Sequence, residues 1–226
     1  MIPGVQTDQL AVTPRTSPTA AVDAGTLVRA VALATFVGGA GGVATAHAQG
    51  WLPNSLSPLA NSATIWSLVA LLVAATARRR STAVAAAAVT LWSLEAGYVL
   101  GSAMKGNPSA PSTVLFWLLA GAVVGPVVGL AAHALRRGSP PLAALATGSL
   151  VGVATGEGIY GLTVVGNTTS PWFWRGQIVL AVGALAVAAA TRLRTWPLIG
   201  AAVGVAAAVA IAFVAVYRMD LLASFG

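Results

Sequence analysis

Two glutamates are the residues best placed to do chemistry in this chain. Glu95 and Glu157 are the only acidic residues between Ala24 and Met219. Each opens a Glu-x-x-Tyr string, Glu95-Ala96-Gly97-Tyr98 and Glu157-Gly158-Ile159-Tyr160. Each string is followed by Gly-Asn and then Pro, at Gly106-Asn107 with Pro111 and at Gly166-Asn167 with Pro171. The Gly, Asn and Pro positions recur at an offset of 60 (166−106, 167−107, 171−111) and the Glu and Tyr positions at 62 (157−95, 160−98). A carboxyl in an apolar run can take a proton, a metal ion or an amine. A phenol three residues further on shares its helix face and can donate to the carboxylate or to a ligand. The candidate ligand-binding set is therefore Glu95, Tyr98, Glu157 and Tyr160, with Asn107 and Asn167 as neutral ligands and His47 as a third polar group.

Other chemistries find little footing. The absence of cysteine removes disulfides, thiolate metal sites and cysteine nucleophiles together. No HExxH spacing, nucleophile elbow or phosphate-binding glycine loop occurs. No enzymatic activity, resident metal or cofactor is expected.

The elements that must hold these residues are set by composition. Of 226 residues, 57% are hydrophobic and 8% charged, and mean hydropathy is +0.84. An ordinary soluble domain carries about 25% charged residues, so lipid must be the solvent for most of this chain. The formal charge of +7 is no nucleic-acid signature, because its arginines sit in short clusters between apolar runs and form no basic stripe.

Residues 1–25, rich in Pro, Thr, Ser and Ala, read as a disordered cytoplasmic tail. Residues 26–226 then read as one all-α domain, a polytopic membrane helical bundle of about seven transmembrane helices. The spans are expected near 27–48, 62–77, 81–104, 111–135, 140–165, 172–191 and 196–218, the second short and able to begin within the Pro-broken loop before it. Ala46-His47-Ala48 also resembles a small-x-small cleavage site behind an apolar run, against which stands the long, acid-containing tail. Arg78-Arg79-Arg80, Arg136-Arg137, and Arg192 with Arg194 occupy every second connection. By the positive-inside rule these turns are cytoplasmic, which puts the N-terminus in and the C-terminus out. Trp51, Trp66, Trp117, Trp172 and Trp174 fall at expected outer boundaries and Trp196 at an inner one, as an aromatic belt would.

The two Glu-x-x-Tyr units have the same orientation, so they read as parallel helix-loop-helix internal repeats. Small residues recur every four positions: Ala34, Gly38, Gly42 and Ala46; Gly121, Gly125 and Gly129; Gly148, Gly152 and Gly156; Gly200 and Gly204. Such rows let membrane helices approach closely, and Pro126 inside one of them predicts a local kink. Both glutamates should sit about 12–14 Å below the outer boundary at 1.5 Å per residue. An acid at that depth faces the bundle interior or a wet cavity, either protonated or paired with a cation from outside. Two readings stay open: a solute or cation site, or neutral carboxyls that tie helices together.

The outer loop Trp51-Leu52-Pro53-Asn54, the stretch Pro58-Leu59-Ala60-Asn61-Ser62 before Trp66, and Glu95-Ala96-Gly97-Tyr98 together resemble a family of small actinobacterial integral membrane proteins classed as a domain of unknown function. The resemblance covers about residues 27–218 and implies a membrane location and a helical fold. A more distant likeness, in size and helix number, is to the substrate-binding membrane subunits of vitamin and metal importers, and is an analogy only. The expected partners are the lipid bilayer of the bacterial cytoplasmic membrane and a small cationic solute or proton, with a homo-oligomer or a membrane partner subunit compatible. No nucleic acid is expected.

Overall fold

The computed structural model describes residues 18–218, with side chains from Ala24 onward. Residues 1–17 of the expected tail, including Arg15, lie outside the described residues. Seven α-helices follow: α1 (Pro18–Trp51), α2 (Ala63–Ala75), α3 (Arg80–Met104), α4 (Pro111–Arg137), α5 (Pro140–Thr163), α6 (Pro171–Ala188) and α7 (Trp196–Arg218). A 3-10 turn, Ser57–Asn61, precedes α2, and a π-helical turn, Ala189–Leu193, extends α6. No strand occurs among the described residues. Helix α1 starts at Pro18, inside the stretch read as tail, because Pro at the first helical position and the alanines after it suit a helix start.

Six of the seven helices are long and apolar enough to cross a bilayer. The exception is α2. Its 13 residues rise about 20 Å, short of the roughly 30 Å hydrocarbon core. Of the about seven spans expected, the second, already read as short, is thus below bilayer length. Pro53 and Pro58 prevent the helix from extending backward, and the chain before it runs as a bent segment whose Pro58, Ala60 and Ser62 are buried. Non-helical backbone at membrane depth is tolerated when protein encloses it.

Small residues decide the packing. Helices α1 and α3 run parallel: Gly38 lies against Thr90 and Ser93, Gly42 against Leu94 and Tyr98, and Gly101 against Val43 and Ala46. Helices α5 and α7 form a second parallel pair, with Gly148, Gly152 and Gly156 facing Ala202, Ala206 and Ala210 in turn. Helix α4 runs antiparallel to α3, seating Gly121, Gly125 and Gly129 on Trp92, Ala88 and Val84, and it is continuous through Pro126. Helix α6 runs antiparallel to α5, with Trp174 over Gly161 and Ile178 over Gly158. A methyl group at Gly42 would meet the Leu94 carbonyl and the Tyr98 amide, so the close approach requires glycine there. In lipid such faces replace the hydrophobic drive with dispersion contacts. Gly200 and Gly204 face open space and take no part.

Alanine accordingly dominates the buried core. Helix α2 sits centrally, packed on α3 and α4 and touching α1 and α5. The three arginine-bearing turns gather at one end of the bundle, where Arg192 donates to the Gly138 carbonyl across the α4–α5 turn. Trp51, Trp172 and Trp196 face outward as belt residues do, Trp174 is buried, and the half-buried Trp66 and Trp117 meet at a tilt with ring centroids 6.3 Å apart.

Candidate functional site

Helix α2 begins at Ala63, within the bundle, and its unpaired N–H groups need acceptors there. Ser62 is the N-cap: its backbone is extended and its Oγ accepts from the Ile65 N–H. The two preceding helical N–H groups are met from another helix. Glu157 on α5 accepts from Ala63 N at 2.7 Å through Oε1 and from Thr64 N at 3.0 Å through Oε2. The same Oε2 also accepts from Ser62 Oγ at 2.8 Å and from Gln177 Nε2 on α6 at 3.0 Å. Gln177 Nε2 further contacts the Ala154 carbonyl at 3.0 Å. All four contacts to Glu157 come from donors, the role of a carboxylate, and the positive end of the α2 dipole adds to the attraction.

Half-helices that end inside a membrane commonly point their N-termini at an anionic substrate group. Here the chain's own carboxyl occupies that place. Glu157 lies six residues before the end of α5 (163−157), about 9 Å down, shallower than its sequence position suggested because the helix stops at Thr163.

Glu95 is in a different situation. It lies nine residues before the end of α3 (104−95), about 13 Å down. It is 3% exposed, and its Oε2 has no hydrogen-bond partner. Four residues after Leu91 and three before Tyr98, it shares the α3 face that carries both. Leu91 belongs to the core between α2, α3 and α4, against which Trp66 packs. The Trp66 ring meets Tyr98 edge-on at 6.1 Å, and Trp66 Nε1 is likewise buried without an acceptor. A donor on the first turn of α2 and an acceptor on α3 are thus both buried without partners.

The remaining candidates disperse. Tyr98 Oη donates to Gln49 Oε1 at 3.2 Å. Tyr160 packs its ring on Tyr217 at 5.3 Å. His47 Nδ1 pairs with the Val43 carbonyl at 3.0 Å, and its ring lies 5.6 Å from Trp51. Asn107 and Asn167 are exposed in the connecting loops. Gly106 takes the left-handed conformation that closes α3, with the Asn107 N–H returning to Ser102. The two matched strings are not brought together by helix packing: α3 and α5 are not among the packed helix pairs, and no hydrogen bond links either tyrosine to its glutamate among the described residues. No three His, Asp or Glu side chains gather among the described residues.

Ser62, Thr64 and Gln177 are the site residues that motif reasoning passed over. Ser62 carried a signal, a serine directly ahead of an apolar helix. Gln177 carried another, an uncharged polar residue isolated in an apolar run.

No curated protein and no solved structure matches the chain, so the likeness to importer subunits carries no argument. Family comparison does match, over residues 22–222, nearly the whole membrane domain. With its six bilayer-length helices and its half-length seventh, the chain belongs to a family of unknown function, DUF6518.

Proposed function

We propose that the protein is a solute-binding or transport component of the bacterial cytoplasmic membrane, not an enzyme, in which Glu95 binds a proton or small cation. One observation carries this reading: the buried Glu95 oxygen without a partner. Buried polar groups are almost always hydrogen-bonded, and an orphan calls for an explanation such as an exchangeable ligand. An ionisable group inside a membrane is functional by default. Glu157 takes the structural role, bracing α2 against α5 and α6, and so serves the second reading, an accessory protein whose glutamates hold helices together.

The paired-site idea narrows to a single exchangeable carboxyl. The internal repeat retains support from the parallel orientation of α3 and α5 and from their antiparallel partners α4 and α6. Positive-inside charge supports an inward arginine-bearing end, an inward N-terminus and an outward C-terminus. Because the chain lacks cysteine, single-cysteine variants at Ser139 and Asn107 can test this: an impermeant maleimide should label intact cells only at position 107, and the reverse pattern would invert the topology.

A hydrophobic carbodiimide tests the site, since it reacts with protonated carboxyls in apolar surroundings. In the folded protein the adduct should form on Glu95 and not on Glu157, and protons and cations should alter its rate in opposite directions. An adduct rate at Glu95 indifferent to pH and to every cation tried would leave only the bracing role.

A further inference from the structure

Helices α2, α5 and α6 enclose a lateral groove of about 670 Å³, within the roughly 300–1,000 Å³ typical of small-molecule sites. It lies beside α2, whose 13 residues are shorter than its neighbours α5 and α6. It follows α6 from Trp172 to Ala188, about 24 Å at 1.5 Å per residue, longer than one leaflet's half of a roughly 30 Å core. Its walls are aliphatic and aromatic apart from Thr64, Ser67, Thr147 and Gln177.

Two observations give the groove a direction. Thr147 is 6% exposed, lines the groove, and its Oγ1 has no hydrogen-bond partner. It lies seven residues into α5 (147−140), about 10 Å from the arginine-bearing end. At that same end the groove reaches Leu135 and Ala188. Leu135 is followed directly by Arg136 and Arg137, and Ala188 by Arg192 one turn later, whose guanidinium is held over the α4–α5 turn by the Gly138 carbonyl. At the opposite end Arg175 lies over the Trp172 ring at 5.1 Å, and Arg218 donates to Thr163 Oγ1.

We infer that this groove is a binding site for an anionic phospholipid, with one acyl chain between α2, α5 and α6, its phosphate at Arg136, Arg137 and Arg192, and a glycerol-ester carbonyl accepting from Thr147 Oγ1. Clustered guanidiniums beside a membrane helix attract anionic headgroups, and an unpartnered hydroxyl on an otherwise apolar wall marks where a ligand's acceptor sits. The inference is independent of Glu95, which is on another helix and lines no part of this groove.

The test is native mass spectrometry of the full chain, delipidated and re-exposed to phosphatidylglycerol or phosphatidylcholine. Wild type should retain phosphatidylglycerol preferentially, and Arg136→Gln should cut that preference about fivefold, the worth of one juxtamembrane arginine. Ala184→Trp, which fills the groove, should abolish retention of both lipids, and Thr147→Val should weaken it while leaving the headgroup preference intact. Equal retention of the two lipids, or undiminished retention by folded Ala184→Trp, overturns the proposal. So does displacement of phosphatidylglycerol by inorganic phosphate, which would mark a surface anion site. Should Ala184→Trp fail to fold, a phosphatidylglycerol with a photoreactive acyl chain decides on wild type: crosslinks at Leu180 and Ala184 support the site, and crosslinks only elsewhere overturn it. Glu95→Gln should retain lipid as wild type does.

Discussion

Glu95 and Glu157 stand in matching strings on parallel-running helices, yet they end in opposite states. Glu157 meets four donors and closes the N-terminus of α2, whereas Glu95 on α3 keeps a buried oxygen without a partner. The residues beside each carboxyl are similar; what differs is that only Glu157 meets the start of α2. A helix start offers free N–H groups, while the helix side one turn later offers only side chains, and here Trp66 stands there with its own Nε1 unsatisfied. Identical side chains therefore end satisfied or unsatisfied according to the donors that a neighbouring helix brings.

That contrast can be broken most forcefully at Glu157. Replacing it with alanine strands two backbone N–H groups and the Ser62 hydroxyl, while Gln177 keeps the Ala154 carbonyl; each buried unsatisfied donor costs about 1–3 kcal/mol. The loss should reach about 3 kcal/mol or more by that measure, seen as a large fall in unfolding midpoint in detergent, and an unchanged midpoint would show that water replaces the carboxylate freely. Next is Gly42→Ala, which pushes a methyl into the α3 backbone and should cost about 1–3 kcal/mol by overpacking. Gly200→Ala, into open space, should be neutral or stabilise by up to about 1 kcal/mol through helix propensity. The same unfolding assay separates them, and equal effects would dissolve the distinction between packed and unpacked glycine rows.

Glu95→Gln should change stability by less than about 1 kcal/mol, since no existing hydrogen bond is lost. It should at the same time end carbodiimide incorporation and any proton or cation response. A destabilisation as large as that of Glu157→Ala would give both glutamates the same structural role. Last is Trp66→Phe, which deletes an unpartnered N–H but also part of a ring packed on Tyr98 and Trp117, and should cost no more than about 1–2 kcal/mol. If it instead weakens cation or solute binding, Trp66 belongs to the Glu95 site.

Much of the fold was legible in the chain's own pattern. Hydrophobic runs of membrane length marked six spanning helices within a few residues. The glycine rows on α1, α4 and α5 marked the tightest helix contacts, because only a missing Cβ permits such approach. The half-length α2 was half visible, as a short span after a Pro-broken loop. The site was less legible. Depth and residue type singled out Glu95 and Glu157, but the Glu-x-x-Tyr spacing suggested phenol–carboxylate pairs, and the tyrosines turned instead to Gln49 and to Tyr217. Same-face spacing makes a contact available, and competing partners across the interface decide whether it forms.

Sequence by itself determined the solvent, the helix lengths and the two acids that had to be reconciled with lipid, since these follow from local composition and the bilayer's dimensions. Only the tertiary structure decided which acid was satisfied. Hydrogen-bond donors for a buried carboxyl come from residues 20 to 95 positions away, and nothing in the local string records whether a helix end or a helix flank will arrive there.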